Sequence, residues 1–155
     1  MNYTKYDANK STDSKLFRFT SSGTIGDVSK MVHYTVTDKT DLYNLAFGDL
    51  KYDKENEQYF IDDEIVTGNG DIREVLATVA HTAYDFTQTY PNATIFFRGS
   101  DKRRTNLYKR AIHLNLNELS KTFNIFGARM NKNGDILDHP FDYKEDFDGF
   151  LIKRK

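Results

Sequence analysis

The apolar pattern of this chain changes period at residues 68–71, and this change limits the possible folds more than any other feature. Before it, short segments alternate apolar and polar residues, as strands with one buried face do. After it, apolar residues recur about every 3.6 residues, the period of an α-helix. Strands followed by helices are typical of the α+β class. We therefore expect a curved antiparallel β-sheet, formed by an N-terminal meander and later strands, with two main α-helices packed on it.

The N-terminal half is expected to form the meander. Residues 1–14 are polar and lack periodicity, so we expect a loosely ordered lead-in there. The run Ser21-Ser22-Gly23 has turn composition and follows the first strand. Strands are predicted at residues 16–20, 31–36, 42–50, 58–61 and 64–67. Asp62 and Asp63 separate the last two strands, and we interpret the acidic run Asp62-Asp63-Glu64 as a turn rather than a catalytic or metal site.

A first helix is predicted from residue 72 to about Thr89. Asp71 followed by Glu74 matches the spacing of a capping box, in which the first side chain accepts from a backbone N–H group. The run Tyr90-Pro91-Asn92 ends the helix. Its buried stripe is predicted to contain Ile72, Val75, Leu76, Val79, Ala83 and Phe86. His81 falls opposite this stripe, so we interpret it as a solvated side chain.

The stretch Ala93–His113 combines an apolar strand, a glycine turn and a basic helix. Residues 93–97 are nearly all apolar, as in a strand covered on both faces. After the turn, Ser100 or Asp101 can cap the helix. The next three residues are the cations Lys102, Arg103 and Arg104. Because a helix N-terminus already carries partial positive charge, cations in its first turn indicate a nearby anion. That anion is Asp101, an acid elsewhere in the fold, or a ligand such as phosphate.

The helical period divides the side chains of the basic helix between two faces. The apolar stripe is predicted to contain Leu107, Tyr108, Ala111, Ile112 and Leu114. The outward face is predicted to contain Lys102, Asn106, Lys109, Arg110 and His113. Arg104 precedes Leu107 and Tyr108 by three and four residues and therefore lies on the apolar side. Since an unpaired buried charge is costly, Arg104 either pairs with a carboxylate of the sheet or contacts an anionic ligand.

The C-terminal segment is expected to complete the sheet. A strand is predicted at Asn124–Met130, with Gly127 as a bulge. The run Asn131-Lys132-Asn133-Gly134 has the composition of a hairpin turn. From Ile136 onward we expect irregular structure, followed by a last strand at Gly149–Ile152.

Composition limits the class of the protein. At 155 residues the chain is expected to form one globular domain, residues 1–155, with its own hydrophobic core. The basic residues at 153–155 are expected to form a solvated tail. The net charge is −1, so affinity for nucleic acid requires a local basic patch. The absence of cysteine fits a cytoplasmic protein. No apolar run reaches the ~18 residues of a membrane span, so we expect no membrane partner.

No motif of established chemistry occurs in the sequence. The histidines lack the spacing of metal ligands, and we predict no metal site; they are His33, His81, His113 and His139. The turn RGSDKRRT at 98–105 lacks the first glycine of a nucleotide-binding P-loop. The dipeptide Gly99-Ser100 before a helix has only the outline of a phosphate site. We predict no cofactor, and the sequence leaves open whether the protein is an enzyme.

Several short motifs between residues 45 and 155 form a fairly specific pattern. They are Asn69-Gly70-Asp71, VLATVA at 75–80, YPNATI at 90–95, Gly99-Ser100, Arg104-Thr105-x-Leu107-Tyr108, Ile125-Phe126-Gly127 and FLIKR at 150–154. Together they resemble a small uncharacterised bacterial family of the domain-of-unknown-function type, found mostly in Bacteroidetes. The chain departs from the pattern at Gly149, where alanine is expected. The resemblance implies no established activity. It implies that the glycine-serine turn belongs together with Arg104 and Tyr108.

Three functions fit these observations, and we favour the first. It is binding of a phosphate-bearing ligand, above all RNA or single-stranded DNA, with cations on the phosphates and Tyr108 or Tyr90 stacked on a base. The residues predicted for this site are Arg98, Gly99, Ser100, Lys102, Arg103, Arg104, Thr105 and Tyr108.

The second function is that of a metal-independent ribonuclease, such as a toxin component of a toxin–antitoxin pair. In it Arg104 stabilises charge, and His113 or Tyr108 transfers a proton. Nine residues separate Arg104 from His113, about 13 Å along a helix, which counts against their acting on one phosphate. The third function is that of a protein-interaction or structural domain, with a protein partner and with each cation paired internally.

Overall fold

The computed structural model describes residues 4–62 and 69–155. Over these residues the chain is α+β, as the sequence predicts: nine strands form a curved, unclosed and mostly antiparallel sheet, accompanied by three helices. The chain divides into two compact units. The first contains residues 1–35 and 45–90, and the second contains residues 36–44 and 91–155. The single domain expected for residues 1–155 stays a prediction.

Five consecutive strands make up the sheet of the first unit. They are β1 (Asn9–Lys10), β2 (Leu16–Gly23), β3 (Gly26–Val36), β4 (Leu42–Asp53) and β5 (Gln58–Asp62). Neighbours follow chain order from β1 to β4, and β5 pairs with the second half of β4. The predicted meander is therefore confirmed, while the strand predicted at 64–67 and the acids at 63 and 64 lie outside the described residues.

Residues 4–14 are more ordered than the sequence suggests. The expected lead-in contains β1, and the backbone N–H of Tyr6 donates to Thr78 Oγ1 at 2.9 Å. Lys10 pairs with Asp85 at 3.0 Å. The turn expected at residues 21–23 lies later, because those residues continue β2 until the chain reverses before Gly26, whose φ is +103°.

Helix α1 (Ile72–Thr89) has the predicted bounds, but its buried face is broader than the predicted stripe. Its buried residues are Val75, Ala77, Thr78, Val79, Thr82, Ala83, Phe86 and Thr87. The threonines tolerate burial because their hydroxyls donate to carbonyl groups one turn earlier, as from Thr78 to Glu74 O at 2.7 Å. Ile72 is exposed, contrary to the prediction, and His81 is exposed as predicted.

Asp71 precedes α1 but does not cap it. Its side chain accepts no hydrogen bond from the helix, so the predicted capping box is wrong. Instead Asp71 Oδ2 accepts from the Ser21 hydroxyl and, at 2.6 Å, from the Tyr6 hydroxyl. Asn69 adds a bond from its Nδ2 to Ser21 Oγ at 2.9 Å. The carboxylate thus joins the start of α1 to β2, which is a use of aspartate that the local sequence does not reveal.

A charged pair is buried between β3 and β4. Lys30 Nζ donates to Asp49 Oδ1, and the Asp49 side chain is 1% exposed. The second oxygen, Asp49 Oδ2, is buried and has no hydrogen-bond partner among the residues that the structure describes. A buried carboxylate of this kind depends on its one cation, because removal of the cation leaves an uncompensated charge.

The second unit contains the first residues of β4 and the remaining elements. These are β6 (Thr94–Phe97), α2 (Lys102–Leu114), α3 (Leu116–Leu119), β7 (Phe123–Met130), β8 (Ile136–Pro140) and β9 (Gly149–Arg154). The strand order is β4-β6-β9-β7-β8; the β4–β6 pair is parallel, whereas the β6–β9, β7–β9 and β7–β8 pairs are antiparallel. The hairpin predicted at 131–134 is confirmed, with Gly134 at φ +81°.

Two predictions for the C-terminal region need correction. Residues Ile136–Pro140 form β8 and pair with β7 from Phe126 to Met130, so the irregular structure expected from Ile136 is confined to residues 141–148. Strand β9 continues through Lys153 and Arg154, so the tail expected after residue 152 belongs to the sheet in its first two residues. The Arg154 guanidinium lies over the Phe123 ring at 5.8 Å.

Gly127 does not form the predicted bulge. It pairs in unbroken register with His139 on one side and Phe150 on the other. A Cβ atom there would lie 2.3 Å from Phe147 Cε1, so the glycine leaves room for an aromatic ring lying on the strand. Gly149 is required for the same reason, because its Cβ would lie 2.7 Å from Phe96 Cε2.

Candidate anion-binding surface

The turn between β6 and α2 is closed tightly onto the first turn of the helix. The Gly99 N–H donates to Thr105 Oγ1 at 3.0 Å, and that hydroxyl donates to Asp101 O at 3.0 Å. A Cβ on residue 99 would lie 2.4 Å from Arg104 Cβ. Only glycine therefore allows this approach, which fixes the helix start, and with it Arg104, against the end of β6.

Asp101 is the residue that caps α2. It is one of the two candidates predicted from the sequence. Its Oδ1 accepts from the Arg104 N–H at 2.8 Å, and its carbonyl accepts from the Thr105 N–H at 3.1 Å. Together with the Gly99 bond, these contacts occupy backbone donors that a phosphate cradle would need. Any anion at this turn is therefore expected to be bound by side chains.

The predicted site residues differ in their access to solvent. Arg98, Ser100, Lys102 and Arg103 are exposed, Gly99, Arg104 and Tyr108 are half-buried, and Thr105 is buried. The Tyr108 ring lies beside the Phe97 ring, with centroids 6.3 Å apart. Thr105 and Gly99 thus shape the turn, while the cations and Tyr108 form its surface.

Most arginines of this surface lack a carboxylate. Across residues 4–62 and 69–155, four guanidinium groups have no aspartate or glutamate within ion-pair distance. They belong to Arg98, Arg103, Arg104 and Arg110. Arg98 Nη1 instead lies 3.5 Å from Met130 Sδ. Of the two alternatives for Arg104, pairing with a carboxylate of the sheet is therefore not found in the described part of the chain.

The lysines of α2 do meet acids, from the segment 142–148 that connects β8 to β9. Lys109 Nζ donates to Glu145 O at 2.9 Å and lies 3.7 Å from Asp146 Oδ1. Lys102 Nζ lies 3.9 Å from Asp146 Oδ2. The Lys109 side chain is only 12% exposed, so its predicted outward position is wrong. We refer to residues 142–148 as the acidic segment.

Aromatic rings fix the acidic segment at both ends. The His113 and Tyr143 rings stack with centroids 4.1 Å apart and planes within 13°. Lys109 Nζ lies 5.5 Å from the centre of the same tyrosine ring. Arg129 bonds to Glu145 at 3.2 Å and covers the Phe147 ring. Sequence reasoning missed all these partners, although the run DYKEDFD is acidic and aromatic enough to suggest a complement to a basic helix.

The apolar stripe predicted for α2 is only partly buried. Ile112 is buried, but Leu107 and Leu114 are exposed. Thr105 takes a buried position instead, because its hydroxyl is satisfied inside the turn. Arg104 lies on the half-buried side, as the helical period predicts.

Tyr90, the second candidate for stacking, lies in the first unit. Its hydroxyl donates to Asp13 O at 2.7 Å, and its ring lies 5.0 Å from that of Phe86. It therefore has a structural role within that unit.

Comparisons with known proteins complete the description. Among the described residues, no helix combines the length and the apolar composition needed to cross a membrane. No curated protein matches the chain, and no solved structure matches it. One family model, described as a family of unknown function (DUF6934), matches residues 2–155. The match spans nearly the whole chain, and the chain is therefore a member of the DUF6934 family.

Proposed function

We propose that the turn at residues 98–101 and the exposed side of α2 bind the phosphates of single-stranded nucleic acid. The observation that carries the proposal is Arg104, a half-buried residue whose guanidinium has no carboxylate partner in the described part of the chain. A guanidinium at the positive end of a helix is favoured when an anion lies beside it. Phosphate oxygens suit it because its planar group donates two parallel hydrogen bonds.

Neighbouring cations extend this charge along the surface. Arg98 directly follows β6, and Arg103 and Arg110 are exposed on α2. None of them forms an ion pair with a described carboxylate, so their positive charges support anion binding although the whole chain carries a net charge of −1. A chain of phosphates could contact several of them in succession, which a single phosphate could not do.

Aromatic side chains next to these cations support a single-stranded ligand rather than a duplex. Tyr108 and Phe97 are both half-buried and lie side by side, with ring centroids 6.3 Å apart. Unpaired bases stack on such rings with little sequence preference. The bases of a duplex are already stacked and offer no free face.

Fluorescence anisotropy with labelled single-stranded RNA and DNA tests the proposal. We would use oligonucleotides of about 12 nucleotides, at salt concentrations of about 50 and 200 mM. Contact with three phosphates predicts a slope near −2 for the logarithm of the association constant against that of salt, since each contributes about −0.7. We expect Arg103→Ala and Arg104→Ala each to weaken binding about threefold to tenfold.

Two controls separate this surface from charge in general. Lys121→Ala removes an exposed cation beyond α3 and is expected to leave affinity unchanged. Asp146→Asn removes the carboxylate beside Lys102 and Lys109 and is expected to strengthen binding. Equal losses in Lys121→Ala and Arg104→Ala, or binding without salt dependence, would contradict the proposal.

The same samples test the ribonuclease alternative. After incubation, the labelled RNA is separated on a denaturing gel. Cleavage that is lost in Arg104→Ala would identify the surface as an active site, whereas intact RNA bound with the expected salt dependence supports binding alone.

A further inference from the structure

The tripeptide Asn-Gly-Asp occurs twice in the chain. It forms Asn69-Gly70-Asp71 before α1 and Asn133-Gly134-Asp135 in the turn between β7 and β8. Asparagine before glycine is prone to spontaneous deamidation, because glycine has no Cβ to hinder attack by its backbone nitrogen. The two glycines also share a conformation, with φ of +79° at Gly70 and +81° at Gly134. Since local sequence and glycine conformation are matched, a difference in reactivity must come from the surroundings.

The side-chain amide of Asn69 is bonded through both of its polar atoms. Its Oδ1 accepts from the Ile25 N–H at 2.7 Å, and its Nδ2 donates to Ser21 Oγ at 2.9 Å and to Gly26 O at 3.0 Å. The residue is 4% exposed. Rotation of the amide toward the nitrogen of Gly70 breaks all three bonds, which slows the reaction by about a hundredfold relative to the unfolded chain. Burial also excludes the water that completes it.

Asn133 has none of this protection. It is exposed, and its side-chain amide makes no hydrogen bond in the part of the chain that the structure describes. A Cβ atom on Gly134 would meet no described atom within 4 Å apart from its chain neighbours, so the approach to this glycine is open. One bond opposes the reaction, because the Gly134 N–H donates to Asn131 O at 3.0 Å. A single bond of this kind slows the attack by about fivefold.

We propose that Asn133 is a site of spontaneous covalent modification, at which the folded protein converts asparagine to aspartate and isoaspartate. The Gly134 backbone nitrogen, on losing its proton, forms a bond to Asn133 Cγ, and the side-chain nitrogen leaves as ammonia. Water then opens the five-membered imide. Opening at one carbonyl gives aspartate, and opening at the other gives isoaspartate, in which the chain continues through the side-chain carbonyl carbon. Water is the one co-reactant, and nothing is oxidised or reduced.

The two products affect the hairpin differently. Asn131 holds the turn, because its Oδ1 accepts from the backbone N–H groups of residues 133 and 135 at 3.0 and 2.9 Å. Aspartate at position 133 leaves the backbone and both bonds in place. Isoaspartate inserts a methylene group into the backbone after residue 133, which displaces the N–H of residue 135 from this acceptor. Each product changes the net charge of the chain from −1 to −2. This inference is independent of the function proposed for α2.

Incubation of the folded chain in mildly alkaline buffer, followed by peptide mass spectrometry, tests the proposal. Deamidation raises the mass of a peptide by about 1 Da. Isoaspartate is identified by methylation with a protein isoaspartate methyltransferase. We expect the Asn133 peptide to be converted at least about tenfold faster than the Asn69 peptide, which is the difference between the two degrees of protection.

Unfolded protein provides the first control. In guanidinium chloride the two tripeptides lose their different surroundings and should react at similar rates. Asn131 provides a second control in the same digest. It is exposed in the same turn but is followed by Lys132, whose side chain hinders the attack, so it should remain intact.

Two variants assign the modification to this residue. Asn133→Asp reproduces one product and marks the position of the acidic species on isoelectric focusing. Asn133→Gln keeps an amide but requires a six-membered ring, which forms far more slowly, so this acidic species should disappear. Both residues are exposed in the turn, and circular dichroism checks that the variants are folded.

Three results would overturn the inference. The first is an intact Asn133 in the folded chain over the time in which the unfolded chain is converted. The second is equal conversion of Asn69 and Asn133 in the folded chain, which would show that burial and hydrogen bonds give no protection. The third is an acidic species that forms at the same rate in Asn133→Gln.

Discussion

The rings of Tyr34 and Phe86 stack in parallel, with centroids 4.1 Å apart and planes within 4°. Both side chains are buried, and the Tyr34 hydroxyl shares a hydrogen bond of 2.8 Å with Thr82 Oγ1. Burial raises the pKa of Tyr34, because a phenolate would lose its hydration there. The pair joins β3 to α1, so the stability of the first unit should depend on it more than on any surface contact of α1.

The loss of stability caused by a substitution in this pair should increase with the side-chain volume that it removes. Phe86→Ala leaves a cavity and is expected to lower the free energy of unfolding by about 3–5 kcal/mol. Tyr34→Phe keeps the stack and should cost about 1–2 kcal/mol, since Thr82 keeps its bond to Val79 O at 2.7 Å. Urea unfolding measures both, with Val36→Ala at an exposed position as the control. Equal losses in the two variants would show that the hydroxyl, not the stack, is the main contact.

Asp71 and Asp101 both precede helices but should respond differently to asparagine. Asparagine caps helices as well as aspartate does, so Asp101→Asn should change the free energy of unfolding by less than about 0.5 kcal/mol. Asp71 instead accepts from Tyr6 and Ser21, and these charge-assisted bonds weaken when the charge is lost. We expect Asp71→Asn to cost about 1–2 kcal/mol in thermal or urea unfolding. An Asp71→Asn variant with an unchanged free energy of unfolding would instead indicate that Asp71 acts as a helix cap.

Gly127 and Phe147 should behave as one packing unit. Gly127→Ala forces the Phe147 ring from its place on β7 and is expected to cost about 1–3 kcal/mol. In a Phe147→Ala background the added methyl group meets no ring, so the same change should cost much less. The double-mutant cycle measured by urea unfolding gives the coupling directly. Additive losses in the free energy of unfolding would mean that Gly127 is needed for the backbone conformation and not for the packing of the Phe147 ring.

The stability of the first unit should decrease between about pH 7 and pH 5.5 because of His81. Partial burial, and then the Lys5 cation, lower the pKa of His81 below its usual 6.5, while Asp85 opposes the shift. As the pH falls, the unfolded chain therefore binds the proton first, and the folded state loses stability. His81→Gln should reduce the dependence of the free energy of unfolding on pH in this range. Urea unfolding at pH 7.5, 6.5 and 5.5 would measure it, and an unchanged slope in His81→Gln would contradict the assignment.

Periodicity was sufficient to predict the two main helices and most strands, because local pattern determines them. The bounds of α1 and the half-buried side of α2 that contains Arg104 follow from a period near 3.6 residues. Strand pairs with tight turns, such as the hairpin at Asn131–Gly134, follow from turn chemistry. The α+β class required no more than these signals.

Contacts between distant residues could not be predicted in this way. Lys109 is covered because Tyr143, Glu145 and Asp146 return to it from another part of the chain, and no helical period contains that information. Asp71 has the spacing of a cap, but Tyr6 and Ser21 compete for its carboxylate with stronger bonds. The same holds for the acidic segment. Its composition can be read from the sequence, but the sequence does not indicate that it contacts α2.

The buried pair of Lys30 and Asp49 also restricts how related sequences can diverge. Replacing either residue alone leaves an unpaired charge inside the fold. This typically costs about 3–5 kcal/mol and would leave little net stability. Exchanging both at once for apolar side chains of similar volume is close to neutral. The two codons should therefore vary together within the family, and library designs that randomise one position while holding the other will recover almost nothing but the parental residue.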